Sequence, residues 1–184
     1  MKFEKERAFI RVSGSILFAV MTVIFLYFLA SYNFGCGCAH AESRKPEIVG
    51  DVYRISSADE LTWFSELVNG DLADGTKQNK AAKGTLTQDI DMAGKKFTPV
   101  GKEYNSEYNG TFDGGGHVVK NLRLDEKDRS LGLFGNVKNA VIKNVVVSGS
   151  IRGRHSFLGG IVGKSYGKTT IYYEIGRASC RERV

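Results

Sequence analysis

Two pairs of short segments in the second half of the chain resemble each other, and this self-similarity limits the possible folds more than any other feature. VKNLRL at 119–124 returns as IKNVVV at 142–147, and GLFG at 132–135 returns as GIVG at 160–163. Repeats of about 20 to 30 residues are typical of solenoids, whose turns bury their apolar faces against one another. The echo predicts stacked strands, with Val119 next to Ile142, Leu122 next to Val145 and Leu124 next to Val147.

Glycine content supports short strands and closely spaced turns in this region. Between positions 110 and 167 about one residue in five is glycine, a density that helices do not tolerate. Asn121 and Asn144 recur at one position of the VKNLRL echo. We therefore expect both in left-handed turn conformations, with stacked amide hydrogen bonds between turns.

A short amphipathic helix is predicted at 57–69, before the repeats. Ser57 and Glu60 have capping-box spacing, apolar residues follow at helical spacing, and Gly70 supplies the left-handed stop. A helix this short is marginal alone in water, so we expect it to dock on the open N-terminal end of the strand stack as a cap. Trp63 on this helix could be a ligand platform, but packing in or beside the core is the favoured interpretation.

The N-terminus has the features of a secretory signal peptide. A basic start precedes an almost uninterrupted apolar run at 16–30, and a small-x-small site ends at Ala41. Cleavage after Ala41 is favoured. The alternative is a retained membrane anchor at 16–34, since this stretch approaches the length of about 20 residues that a spanning helix needs. Both interpretations predict export, to the cell surface or to the medium.

The C-terminal segment EIGRASCRERV at 174–184 resembles a translated sequencing adapter. We therefore exclude it from fold reasoning and expect the natural protein to continue beyond Tyr173. The expected organisation has five parts: a signal peptide or anchor at 1–41, a linker and initial strand at 42–52, a helix and polar loop at 53–84, truncated repeat turns at 85–173, and the adapter-derived tail at 174–184.

Charge and cysteine content exclude several classes of function. The net charge is +6, but within 42–173 the basic residues are scattered, with no Lys/Arg run longer than Arg44-Lys45 or Lys95-Lys96. This is a solvated surface rather than a nucleic-acid interface. The cysteines lie at 36, 38 and 180, so the central region has neither a disulfide framework nor a thiolate metal site.

Two four-residue corners resemble the GLUG motif of bacterial surface proteins, in which a glycine, a leucine, a hydrophobic residue and a glycine follow one another: Gly132, Leu133, Phe134, Gly135 and Gly160, Ile161, Val162, Gly163. Upstream elements, such as TPVG at 98–101 and NGTFDG at 109–114, resemble the same proteins, so the similarity covers about 53–171. The resemblance implies an all-β fold, a right-handed parallel β-helix, on an extracellular and often adhesin-like protein.

Two acidic motifs are the candidates for chemistry. Asp89 and Asp91 could bind Ca²⁺, but alternate strand residues share a face, so we expect both to point to solvent while Ile90 and Met92 point inward. Asp113 and His117 flank a triglycine turn, where a single carboxylate is too little for glycoside chemistry. The sequence predicts no catalytic residue, no cofactor and no metal, with Asp89 and Asp91 as weak metal candidates only.

Three classes of function remain open. A surface scaffold or adhesin-like module that binds host or cell-surface glycans or proteins is favoured, because no catalytic constellation is visible. The alternatives are the N-terminal part of a carbohydrate-active β-helix enzyme, or of a large secreted protease whose catalytic domain is missing. Fold alone does not decide among them. We also expect the truncated fragment to self-associate through its open strand edge.

Overall fold

A computed structural model describes residues 43–127, 129–154, 157–172 and 175–182; at 126, 127 and 175–182 only the backbone is described. The chain divides into two compact units, Met1–His40 and Ala41–Val184. The first unit, with the predicted apolar segment at 16–34, lies outside the described residues, and so does the predicted cleavage site at Ala41. No helix in the described ranges is long and apolar enough to cross a membrane.

The described chain contains one α-helix, one 3-10 turn and fourteen strands. The helix is α1 (Ala58–Asn69) and the 3-10 turn is Tyr104–Ser106. The strands are β1 (Glu47–Val49), β2 (Val52–Ile55), β3 (Lys83–Leu86), β4 (Ile90–Asp91), β5 (Thr111–Asp113), β6 (Val118–Lys127), β7 (Ser130–Leu131), β8 (Phe134–Lys138), β9 (Val141–Lys143), β10 (Val146–Arg154), β11 (Phe157–Leu158), β12 (Val162–Tyr166), β13 (Thr170–Tyr172) and β14 (Ile175–Glu182).

The strands form four sheets whose pairing is parallel except between β1 and β2. The sheet orders are β1-β2-β3-β5-β9-β13, β14-β10-β6-β4, β11-β7 and β12-β8. The chain runs through these sheets repeatedly in the same order, and we call one such round a pass. The passes are β5 to β8, then β9 to β12, then β13 and β14. Val141 pairs with Thr111 on one side and with Thr170 on the other, so these three residues start successive passes. The prediction of a strand-rich chain is confirmed.

The predicted stacking of VKNLRL on IKNVVV is wrong. The observed partners are Val119 with Val147, Leu122 with Gly149, Leu124 with Ile151, and Ile142 with Phe112. The two segments occupy different positions in their passes. VKNLRL lies within β6, whereas IKNVVV spans the corner between β9 and β10. Alternating apolar residues are common to any strand with one buried face, so a six-letter similarity did not identify the partner.

Helix α1 forms as predicted. The Glu60 amide donates to the Ser57 hydroxyl over 3.3 Å, and Gly70 ends the helix with φ of 76°. The Glu60 carboxylate turns back to accept from the amide of Ser56, one residue before the cap, over 2.7 Å. Trp63 is buried on this helix, which confirms the packing interpretation. Strand β2, just before the helix, was not predicted.

An aromatic cluster joins α1 to the interior of the strand stack. The Phe64 ring lies 5.8 Å from that of Phe112 and 6.2 Å from that of Tyr108, and the Phe134 ring lies 5.1 Å from that of Phe112. All four residues are fully buried. The Tyr108 hydroxyl donates to the carbonyl of Ala82 over 2.8 Å, and burial raises the pKa of this hydroxyl. The helix therefore contributes to the same core as the strands.

Residues 175–182 of the expected adapter-derived tail pair as β14 with the outer edge of β10, Val146 with Ile175 and Gly153 with Glu182. Backbone hydrogen bonds on an open strand edge require no particular side chains. The pairing therefore does not depend on the origin of these residues, and the adapter origin stays a prediction.

Candidate functional site

The two glycine corners lie directly on one another. Phe134 pairs with Val162, and the Phe134 amide donates to the Ile161 carbonyl over 2.8 Å. A Cβ added to Gly163 would lie 2.8 Å from the Leu131 nitrogen, closer than side-chain carbons approach backbone. The return of GLFG as GIVG thus marks true stacking, and its second glycine is needed where two turns come closest.

A third layer of this corner was not predicted as one. Val100 pairs with Phe134, and the Gly135 amide donates to the Val100 carbonyl over 2.8 Å. The segment TPVG at 98–101 therefore lies beneath GLFG and GIVG. The repeat was not recognised in the sequence for two reasons. TPVG contains a proline, and it lies further from GLFG along the chain than GLFG lies from GIVG.

Asn69 holds this first layer in place. Its side-chain amide donates to the Pro99 carbonyl over 3.0 Å, and its oxygen accepts from the amides of Gly101 and Lys102 over 3.0 and 2.9 Å. The sequence had marked Asn69 only as the end of a helix. The one available signal in the sequence was an asparagine directly before the glycine that ends the helix.

The two repeated asparagines have the predicted backbone conformation but different partners from those expected. Asn121 and Asn144 have φ of 57° and 52°, which confirms the left-handed prediction. Their side-chain amides do not stack on each other. Asn121 donates to Asp91 over 2.8 Å and Asn144 donates to Asp113 over 2.9 Å, so each asparagine bonds to a carboxylate of the preceding turn.

The weak metal candidates, Asp89 and Asp91, are both exposed, whereas Ile90 and Met92 are buried, as predicted. Lys120 donates to Asp89 over 2.7 Å. Hydrogen bonds from Lys120 and Asn121 hold the pKa values of Asp89 and Asp91, respectively, below their usual range. Within the described part of the chain, no three His, Cys, Asp or Glu side chains form a group suited to a metal ion.

The second acidic motif does not bring its two members into a pair. The His117 ring nitrogen Nδ1 lies 3.6 Å from Asp89, while Asp113 accepts from Asn144 and lies 3.0 Å from the Lys143 ammonium. Partial burial acts to raise the pKa of Asp113, but the hydrogen bonds outweigh it and lower the pKa. Asp113 therefore acts as a charged corner brace.

A polar groove opens where β4 ends. It has a volume of about 540 Å³ and is lined by Gly94, Asn121, Arg123, Gly149, Ser150 and Arg152, among others. Arg123 and Arg152 are exposed. The sequence did not predict this site because the two arginines are far apart in the chain and neither belongs to a basic run.

A second depression, of about 560 Å³, lies beside the start of α1. Its cations are already engaged: Arg44 lies 3.7 Å from Glu60, Arg54 lies 3.9 Å from Glu47, and Lys45 lies 5.8 Å from the centre of the Trp63 ring. We therefore take the groove at β6 and β10 as the candidate binding site.

Comparison with known proteins adds no family: no family model matches the chain, and no curated protein or solved structure does either.

Proposed function

We propose that the chain is part of an exported bacterial surface protein of the GLUG type, a right-handed parallel β-helix that binds glycans or proteins and is not itself catalytic. One observation supports this most directly. Successive passes of the chain enter the same sheets in the same order, with GLFG stacked on GIVG. Stacked passes of this kind are typical of solenoids, which present extended binding surfaces.

The side chains that could carry chemistry support binding rather than turnover. Asp89, Asp91 and Asp113 bond to residues of neighbouring turns, which suits bracing of corners. The groove offers exposed guanidinium groups, which recognise anionic groups. A carboxylate with a perturbed pKa can mark a catalytic centre, but structural ion pairs produce the same shift.

The binding function is tested with the full chain on an array of host and bacterial glycans and matrix proteins. We expect binding to at least one class, with no release of reducing ends or peptides from bound substrates. Asp113→Asn and His117→Ala serve as controls. Turnover that either variant abolishes would contradict the non-catalytic proposal.

Export is tested separately, by expression in a secreting bacterial host and N-terminal sequencing of the product. We expect the mature chain to begin at Glu42. Met1 at the start of membrane-held protein would indicate a retained anchor, and protein confined to the cytoplasm would contradict export.

A further inference from the structure

The groove exists because β4 is much shorter than the strands beside it. β4 ends at Asp91, and the chain turns away through Gly94, with the Lys95 amide donating to the Met92 carbonyl over 3.0 Å. β6 and β10 continue to Lys127 and Arg154. Beyond Lys120, β6 therefore pairs with no described strand on the β4 side, and the surface of β6 and β10 is open to a ligand.

Gly149 lines the floor of the groove and adds no side chain to it. This residue pairs with Leu122 at an irregularity in the register between β6 and β10. A Cβ at Gly149 would lie only 2.0 Å from the Leu122 carbonyl oxygen, so no other residue fits without moving the backbone. Leu122 itself is buried. A ligand can therefore approach the backbone here while contacting the longer side chains on either side.

The two arginines are placed to bind two separate anionic groups. Arg123 pairs with Ser150, whereas Arg152 lies two positions further along β10, opposite Asp125. With strands about 4.8 Å apart and a rise of about 3.3 Å per residue, their Cα atoms are separated by about 8 Å. Both side chains are exposed, so each guanidinium can reach its own partner.

These arginines differ in their surroundings from five lysines of the described chain. Lys83, Lys95, Lys102, Lys120 and Lys143 each lie within 3.0 Å of an aspartate. Neither Arg123 nor Arg152 has an ion pair with a residue that the structure describes. Two acidic side chains lie beside the groove and both already have partners: Asp91 accepts from the Asn121 amide and the Ala93 backbone amide, and Asp125 lies opposite Arg152. The described residues that line the groove itself include two arginines and no acidic side chain. The groove therefore combines positive charge with an open floor.

The hydrogen-bonding groups of the side chains that line the groove indicate which kind of ligand it can bind. A guanidinium presents a planar fork that matches a carboxylate with two parallel hydrogen bonds. The Ser150 hydroxyl and the Asn121 side-chain oxygen offer partners for ligand hydroxyls. Among the described residues, no aromatic side chain lines the groove, so these residues lack the stacking platform that binds single-stranded nucleic acid. The groove volume lies in the range of about 300 to 1,000 Å³ that is usual for ligand sites.

We propose that this groove binds a polysaccharide bearing carboxylate groups, with Arg123 and Arg152 each binding one carboxylate along the same chain. Sugar hydroxyls contact Ser150, which lies opposite Arg123, and Asn121, which lies two positions before Arg123 on β6. The inference rests on the proposed binding function and names its ligand class.

The test is calorimetric titration of the full chain with oligogalacturonate at low salt. Charge-assisted hydrogen bonds at exposed sites make modest contributions, so we expect Arg123→Gln and Arg152→Gln each to weaken binding about tenfold, and the double variant to lose measurable binding. Arg54→Gln is the matched control, since it removes the same charge from β2, outside the groove, and we expect less than a twofold change. Circular dichroism and unfolding midpoints verify that the variants are folded.

Comparison ligands decide the chemical class. The same oligosaccharide with its carboxyls reduced to alcohols should not bind, and poly-glutamate, a sulfated oligosaccharide and single-stranded DNA should each bind at least tenfold more weakly. Equal binding by any of these four would overturn the inference, and so would an equal loss in Arg54→Gln. If the chain binds another glycan class and the arginine variants have no effect, this inference fails and the proposed function stands. If it binds nothing on the array, both fail.

Discussion

The side-chain amide of Asn144 donates a hydrogen bond of 2.9 Å to the carboxylate of Asp113, 31 residues earlier in the chain. Asn144 has φ of 52°, and Asp113 also accepts from the Gly115 amide over 3.0 Å. One contact thus joins two adjacent turns and fixes a corner in each. Asn121 and Asp91 repeat the arrangement at another corner over 2.8 Å.

We expect Asn144→Ala to lower the free energy of unfolding by about 1 to 2 kcal/mol, because alanine is disfavoured in the left-handed region and the bond to a charged carboxylate is lost. Asn144→Gly loses the same bond but tolerates the conformation, so we expect a smaller loss. Urea unfolding of both variants measures the difference. Equal losses would show that the backbone conformation contributes nothing.

Stability should fall on acidification below about pH 4, since unfolded aspartate titrates at about 3.9. The pKa values of Asp89, Asp91 and Asp113 are lowered in the folded chain. Their contribution is therefore complete above the unfolded value and is lost as the pH falls through the folded pKa values. Unfolding midpoints measured from about pH 2 to 7 test this, and the triple Asp→Asn variant should show a weaker decline. An identical decline would assign the effect to other carboxylates.

A corresponding loss of stability is expected at high pH. Hydrogen bonds from Lys120 to Asp89 and from Lys143 to Asp113 raise the pKa of both lysines. A raised pKa stabilises the fold below the unfolded value of about 10.4, and this contribution disappears as the pH rises through the folded values. Lys120→Gln with Lys143→Gln should flatten the decline in unfolding midpoint between about pH 9 and 12. Lys77→Gln in the exposed loop should leave the profile unchanged.

The glycine corners should be intolerant of a single added methyl group. A Cβ at Gly135 would lie 2.8 Å from the carbonyl oxygens of both Gly101 and Ser130, whereas one at Gly50 would meet nothing within 4 Å. Overpacking costs about 1 to 3 kcal/mol, so we expect Gly135→Ala to lose about 3 kcal/mol. Gly50→Ala should lose only about 1 kcal/mol, from its positive φ. Thermal unfolding compares them, and equal losses would contradict the close approach of the turns.

Removal of the Tyr108 hydroxyl should also destabilise the core. Tyr108→Phe leaves the Ala82 carbonyl without its side-chain donor in a buried environment, which costs about 1 to 3 kcal/mol. The ring contacts with Phe64 and Phe134 are retained, so the loss measures the hydrogen bond alone. Urea unfolding with an unchanged m-value is the expected result. A neutral effect would mean that the carbonyl is satisfied by water.

Local sequence signals were sufficient for some elements. Ser57 and Gly70 determine the ends of α1 because capping depends on residues a few positions apart. The glycines at 132–135 and 160–163 identified true stacking, because a residue without a side chain is required where two backbones come close. The left-handed φ of Asn121 and Asn144 was likewise predicted from residue type.

Tertiary structure alone decided which segments lie together. Val119 pairs with Val147 instead of Ile142, and Arg123 and Arg152, far apart in the sequence, line the same groove. A strand with alternating apolar residues can pair equally well with many similar strands, so its own sequence does not specify the partner. The length of each corner determines the register and brings side chains together from distant turns. A binding surface on such a chain therefore depends on how several turns stack on one another, whereas the conformation of each turn depends on single glycines and asparagines.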